Sequence, residues 1–98
     1  FWAGVALAGD MVVGCLTAHV LPMTHGETAE LCVYDVAVRA DHQRRGVGRR
    51  LVDAARRWGA EAGAPVAFVL ADDEDAHAID FYRALGGEPS PVTAFTFD

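Results

Sequence analysis

Val36-Ala37-Val38, then Arg39-Ala40-Asp41-His42, then Gln43-Arg44-Arg45-Gly46-Val47-Gly48 is the stretch on which the fold turns. An apolar strand runs into a polar connection that ends Gly-x-Gly, and a helical pattern begins at Val47. Glycines at a strand–helix junction let backbone N–H groups converge on an anion, and the helix N-terminus adds partial positive charge. Arg44, Arg45 and Arg49 can add charge-assisted contacts to phosphate oxygens. A Walker turn requires Gly-Lys-Ser/Thr, but Gly48 is followed by Arg49-Arg50, so that reading fails. A dinucleotide fingerprint fits only in part. Leu51 stands where a third small residue is needed, although Asp72 could serve as the acidic residue after the next strand. An ordinary glycine-rich connection with no ligand also stays open.

Outward from this turn, the pattern alternates strands and helices. Residues 1–8 and 11–20 are apolar, β-rich runs separated by Ala8-Gly9-Asp10, which has the composition of a hairpin turn. Residues 21–29 hold Pro22, Gly26 and polar residues and read as a loop. Residues 30–39 (ELCVYDVAVR) are apolar on both faces, which predicts a central strand with neither face open. Beyond Gly48, Val47, Leu51, Ala54, Ala55, Trp58 and Ala62 share one helical face, and Gly63 and Pro65 stop the helix. Residues 66–71 form a short apolar strand, predicted to lie parallel to 30–39. The acidic run 72–75 opens a second helix marked by Ala78, Tyr82 and Leu85 and ended by Gly86-Gly87. Residues 92–97 alternate as a last strand. The expectation is an α+β fold: a mixed, mostly antiparallel sheet with a central parallel pair and flanking helices, in the order β-β-β-α-β-α-β.

Composition narrows the function. The 98 residues are enough for one domain, and 52% are hydrophobic, which suits a packed core. The net charge of −6 opposes nucleic acid as the main partner and suits a cationic one. No apolar run reaches the roughly 20 residues of a membrane span. Cys15 and Cys32 fit no zinc or redox spacing, and both are expected to be buried free thiols. The four histidines show no ligand spacing, so no metal is expected. A cytoplasmic location is expected from the absence of a disulfide framework.

The segment YDVAVRADHQRRGVG resembles the coenzyme motif of GNAT acetyltransferases, whose Gln/Arg-x-x-Gly-x-Gly/Ala turn matches Gln43, Gly46 and Gly48. ADDEDAHAIDFYRALG resembles that family's second signature. Within the superfamily, GCLTAHVLP, ELCVYDVAV, RRGVG and the closing FTFD look most like the aminoglycoside 3-N-acetyltransferases. The resemblance covers residues 1–98 as a single domain. It implies an N-terminally incomplete one, because the family's first strand and two helices have no counterpart. It also implies acetyl-CoA as co-substrate, an aminoglycoside as the cationic amine acceptor, and a homodimer. Val36, Ala37 and Val38 would lie along the pantetheine arm. Gln43, Arg44, Arg45, Gly46, Val47, Gly48 and Arg49 would hold the pyrophosphate. Asp75 stands where many relatives have Asn, and Tyr82 where relatives place a tyrosine near the sulfur.

The implied chemistry is direct transfer of an acetyl group to an amine, which needs a base, an acid and an oxyanion donor. Asp35, an ionisable residue in an apolar strand, is the first candidate base, and Asp72 is the second. Tyr82 is the candidate acid for the departing thiolate, and the Val36 N–H the candidate oxyanion donor. Each also has a plain structural role open to it: Asp35 satisfied by neighbouring donors, Asp72 capping a helix, Tyr82 packing in the core. His42 and His77 are expected at the surface. Acetylation of another small amine or a peptide N-terminus stays open, as does a non-catalytic acyl-CoA-binding or dimerisation module.

Overall fold

In the computed structural model, which describes residues 1–24 and 26–98, the chain forms four strands and two helices. His25, in the loop expected over 21–29, lies outside the described residues. The strands are β1 (Trp2–Ala8), β2 (Met11–Leu21), β3 (Glu30–Val38) and β4 (Val66–Val69). A short 3-10 turn (Ala40–His42) leads to α1 (Val47–Glu61), and α2 (Ala76–Ala84) follows β4. The sheet order is β1-β2-β3-β4, with β3 and β4 parallel and the other pairs antiparallel. This is the expected α+β mixed sheet with a parallel pair and two helices. No helix among the described residues is long and apolar enough to cross a membrane.

The core lies between one face of the sheet and α1. Leu16, Ala18, Leu31 and Val33 pack against Leu51, Val52 and Ala55, and Phe81 of α2 and Leu85 just after it pack on the same cluster. Small residues bring α1 close: a Cβ at Gly59 would stand 3.0 Å from Leu31 Cδ2. The buried stripe is therefore centred on Leu51, Val52, Ala55 and Gly59, while Ala62 is the exposed C-cap residue.

Both helices lie on one face, so the expectation that β3 is closed on both sides needs correction. It is interior to the sheet, yet Tyr34 and Asp35 are exposed. The thiols follow the same rule. Cys15 alternates with buried Gly14 and Leu16 and is exposed, and Cys32 is only half-buried, which still pushes its thiol pKa up.

The expected last strand is a second correction. Residues 92–97 make no strand, and Val92, Phe95 and Phe97 are exposed. Alternation sorts side chains onto two faces but supplies no neighbour. A strand exists only as part of a ladder. Among the described residues none pairs with this segment, and Pro89 and Pro91 before it carry no N–H to donate.

A bulge in β3 sets up the site. Thr17 pairs with Asp35 but Ala18 pairs with Val33, so Tyr34 is the extra residue. Before it, Leu31 and Val33 face the core; after it, Val36 and Val38 do. The phase shift turns Tyr34 and Asp35 out together on the face away from α1.

Candidate active site

The site is built where β3 loses its neighbour. The parallel ladder runs from Glu30↔Val66 to Val33↔Val69 and ends there, at the bulge. Beyond it, β3 still pairs with β2 through Asp35, Val36, Ala37 and Val38, but among the described residues no strand pairs with its other edge. An open edge presents N–H and C=O groups ready for an extended ligand.

This edge leads into the glycine turn. Arg39 is anchored by its N–H to the Val13 carbonyl at 2.8 Å. Its guanidinium donates through Nε and Nη2 to the two carboxylate oxygens of Asp41, each at 3.2 Å. His42 Nδ1 lies 3.0 Å from Asp41 Oδ1. The His42 hydrogen bond, followed by those from Arg39, holds the Asp41 carboxyl below its ordinary pKa. His42, expected at the surface, is thus half-buried beside Asp41, whereas His77 is exposed. The Gln43 side-chain amide donates to the Val38 carbonyl at 3.2 Å and ties the turn back to the strand.

Two residues then take left-handed backbone: Arg44 at φ 64° and Gly46 at φ 80°. Gly46 is the N-cap of α1 and offers no side-chain cap, and the first intrahelical bond runs from the Arg50 N–H to the Gly46 carbonyl. Among the described residues, none accepts a hydrogen bond from the backbone N–H groups of residues 44–49. These donors and the exposed Arg44 and Arg45 form a cationic cradle at the start of α1, of the kind that suits an anion. Gly48 is glycine for another reason. A Cβ there would stand 2.8 Å from Phe81 Cζ, so its bareness lets α2 reach the start of α1. Arg49 completes that junction by donating to the Ala84 carbonyl at 3.1 Å. It is turned to α2 rather than towards the cradle.

Tyr82 lies on α2 beside a 330 Å³ cavity lined by Val33, Phe68, Val69, Leu85 and Gly86, among others. Burial pushes its hydroxyl pKa up, and the charges of Asp75 and then Asp35 push it further. The phenol is therefore held in its protonated, proton-donating form. The Asp35 charge thus reaches the Tyr82 hydroxyl from β3. Asp75 is the N-cap of α2, its Oδ1 accepting the Ala78 N–H at 3.0 Å. Asp72 is exposed after β4, with its carbonyl accepting the Asp75 N–H at 3.0 Å. The premise that singled out Asp35, a charge inside an apolar environment, does not hold. The bulge puts it at the surface.

Sequence reasoning missed the bulge, the Arg39–Asp41–His42 network and the Gly48–Phe81 contact. It also missed a row of rings, Phe1, His19 and Tyr34, on the outer face. The bulge had a signal. The inward apolar positions fall at 31 and 33, then at 36 and 38, a break of phase at Tyr34-Asp35.

The acetyltransferase (GNAT) family profile matches residues 1–86. Among solved structures, the chain is similar to an aminoglycoside acetyltransferase from an uncultured soil metagenomic sample, meta-AAC0020, in complex with sisomicin. The identity is 34% and the TM-score 0.91, covering 98% of this chain and 64% of that one. A second soil metagenomic aminoglycoside acetyltransferase, HMB0005, is 38% identical with a TM-score of 0.90 and the same coverage. Aminoglycoside N-acetyltransferase AAC(6')-Iy in complex with CoA is 21% identical with a TM-score of 0.89, covering 98% of this chain and 74% of that one, a likeness of fold. This chain spans 64% of the length of the two soil proteins. Among curated proteins no relative matches it.

Proposed function

We propose that the chain, which belongs to the acetyltransferase (GNAT) family, binds acetyl-CoA and passes its acetyl group directly to an aminoglycoside amine. The observation that carries this reading is the junction of two features. The open β3 edge over residues 35–38 ends in the cradle of free N–H groups at 44–49. An extended arm with amides at one end and a pyrophosphate at the other has matching partners along that path, with Val36, Ala37 and Val38 beside the arm.

At the reacting end, the Val36 N–H donates to the thioester carbonyl oxygen as it gains charge. Asp35 takes a proton from the acceptor's ammonium, directly or through water, so that the neutral amine attacks the thioester carbon; as the C–S bond breaks, Tyr82 gives a proton to the departing sulfur. Asp72, exposed beyond β4, serves as a secondary carboxylate at the mouth. Asp75 acts through the α2 cap and through its charge on Tyr82. Arg49 reaches a phosphate only by leaving the Ala84 carbonyl.

The acceptor assignment rests on likeness to the two soil proteins and on the carboxylates of Asp35 and Asp72. The 3-amino position is the finer proposal and rests on the Tyr34-Asp35 pair ahead of Val36-Ala37-Val38. Thiol release with sisomicin, spermidine and a short peptide is the test. Turnover with sisomicin alone, acetylated at the 3-amino group by NMR of the product, is expected. Asp35→Asn should lower kcat by about 100-fold, because the amide cannot take the ammonium proton. Acetylation of spermidine or the peptide but not sisomicin would overturn the acceptor while leaving the coenzyme site standing.

A second copy of the chain is the proposed protein partner. Val5 and Leu7 on β1 and Phe95 and Phe97 near the end of the chain are all exposed, and β1 is an edge strand among the described residues. Such surfaces favour association. Sedimentation at tens of micromolar should give a dimer, and a monomer at every concentration would refute the pairing.

A further inference from the structure

We infer that Arg49, the first arginine of α1, is a positioning residue for Tyr82: it fixes the end of α2, and with it the acid, rather than holding the coenzyme's phosphates. The consequence for catalysis rests on the transferase reading, whereas the seating of α2 stands on contacts alone. α2 has nine residues, and none of them is fully buried. A helix that short is marginal in water unless other elements hold it. Its hold lies at its C-terminal end. The Phe81 ring packs on the core and takes the space of a Cβ at Gly48, which would stand 2.8 Å from Phe81 Cζ. One residue further along α1, Arg49 Nη2 donates to the Ala84 carbonyl at 3.1 Å, across 35 positions of chain. Tyr82 lies between these two anchors in sequence, and its ring meets that of Phe81 edge to face with centroids 5.1 Å apart.

The carbonyls of the last turn single out the arginine. The final carbonyls of an α-helix need partners from outside its regular ladder. Here the Leu85 N–H reaches the Phe81 and Tyr82 carbonyls, each at 3.2 Å. The Gly86 N–H closes on the Arg83 carbonyl at 2.9 Å and the Gly87 N–H on that of Tyr82 at 3.0 Å. Among the described residues no backbone N–H reaches the Ala84 carbonyl, so Arg49 is its one hydrogen-bond donor. The bond is charge-assisted, and a cation at a helix C-terminus is favoured by the dipole as well. A phosphate would have to compete with both. Loss of Arg49 therefore leaves the cradle intact and loosens the seat of the acid, and a misplacement of about 1 Å can cost up to ~100-fold in rate.

The experiment is a double-mutant cycle of Arg49→Ala and Tyr82→Phe, with steady-state kinetics on acetyl-CoA and sisomicin and a separate CoA titration. Arg49 is exposed, so its variants should fold, and Arg49→Lys restores a cationic donor. Arg49→Ala should lower kcat by about 10-fold with CoA affinity near that of the wild type. Arg49→Lys should recover most of the loss. In the Tyr82→Phe protein, Arg49→Ala should cost little more, because both changes act through one group. Wild-type kcat in Arg49→Ala, with or without weaker CoA binding, would overturn the inference, as would the full loss repeated in Tyr82→Phe. NMR of protein carrying 13C-labelled tyrosine gives a readout free of turnover, with Tyr34 as internal reference. In Arg49→Ala the Tyr82 ring signals should shift while those of Tyr34 stay, and Arg49→Lys should match the wild type. If no acceptor is acetylated, or if Tyr82→Phe keeps wild-type kcat, the transferase or the acid reading fails. A shifted Tyr82 signal then still upholds the seat, and an unmoved one overturns it.

Discussion

Tyr82→Phe is expected to lower kcat by about 100-fold with little change in the affinity for CoA. The ring stays in place beside Phe81, whose centroid lies 5.1 Å away, so packing is preserved and only the proton donor is lost. The pH dependence adds a sign that packing cannot mimic. Burial first, then Asp75 and Asp35, raise the hydroxyl pKa above the ordinary tyrosine value. The acid form therefore persists past pH 10, and the alkaline fall in kcat belongs above that point. Asp75→Asn should keep the α2 cap, because an amide oxygen can also accept the Ala78 N–H, while removing one charge near the phenol. The alkaline limb should then move to lower pH. A Tyr82→Phe protein with wild-type kcat would reduce Tyr82 to a packing residue.

Gly46→Asp is expected to weaken CoA binding by about 100-fold or more, a loss of one or two charge-assisted hydrogen bonds. A Cβ at Gly46 meets no atom within 4 Å, so space is not the obstacle. The obstacles are the left-handed backbone, φ 80°, and a carboxylate placed among free N–H donors that it would occupy itself. Gly46→Asn separates the two. Asparagine tolerates left-handed backbone and carries no charge, so it should lose much less affinity. Equal losses in both variants would assign the effect to backbone strain rather than to the anion.

Much of this arrangement was legible from residues 30–65. An apolar strand, a polar turn with Gly46 and Gly48, a helix opening at Val47 and a stop at Gly63 leave few alternatives, and α1 runs Val47–Glu61 as that pattern requires. Asp75 as the cap of α2 was also readable, because a carboxylate before a helical period has few other uses. What escaped were relations between distant elements. Burial of a strand face depends on which side the helices take, and apolar composition does not encode that side. Asp35 consequently looked like a buried charge, while the bulge delivers it to the surface. Gly48 resembles a second phosphate glycine, yet its closest steric demand is the Phe81 ring, 33 positions downstream. The last alternating run, 92–97, was read as a strand because periodicity reports faces, whereas a ladder needs a neighbour.

The central claim is that one continuous path, the open β3 edge and the α1 cradle, receives the coenzyme. Its most direct test is an NMR titration of the 15N-labelled protein with CoA, following every backbone amide. The expected result is a saturable set of shifts concentrated in residues 35–38 and 44–49, with the amides of β1 and the outer-face ring row of Phe1, His19 and Tyr34 nearly still. In Gly46→Asp those shifts should vanish over the same CoA range. Absence of shifts in the wild type at millimolar CoA, or shifts that spare both segments, would contradict the account.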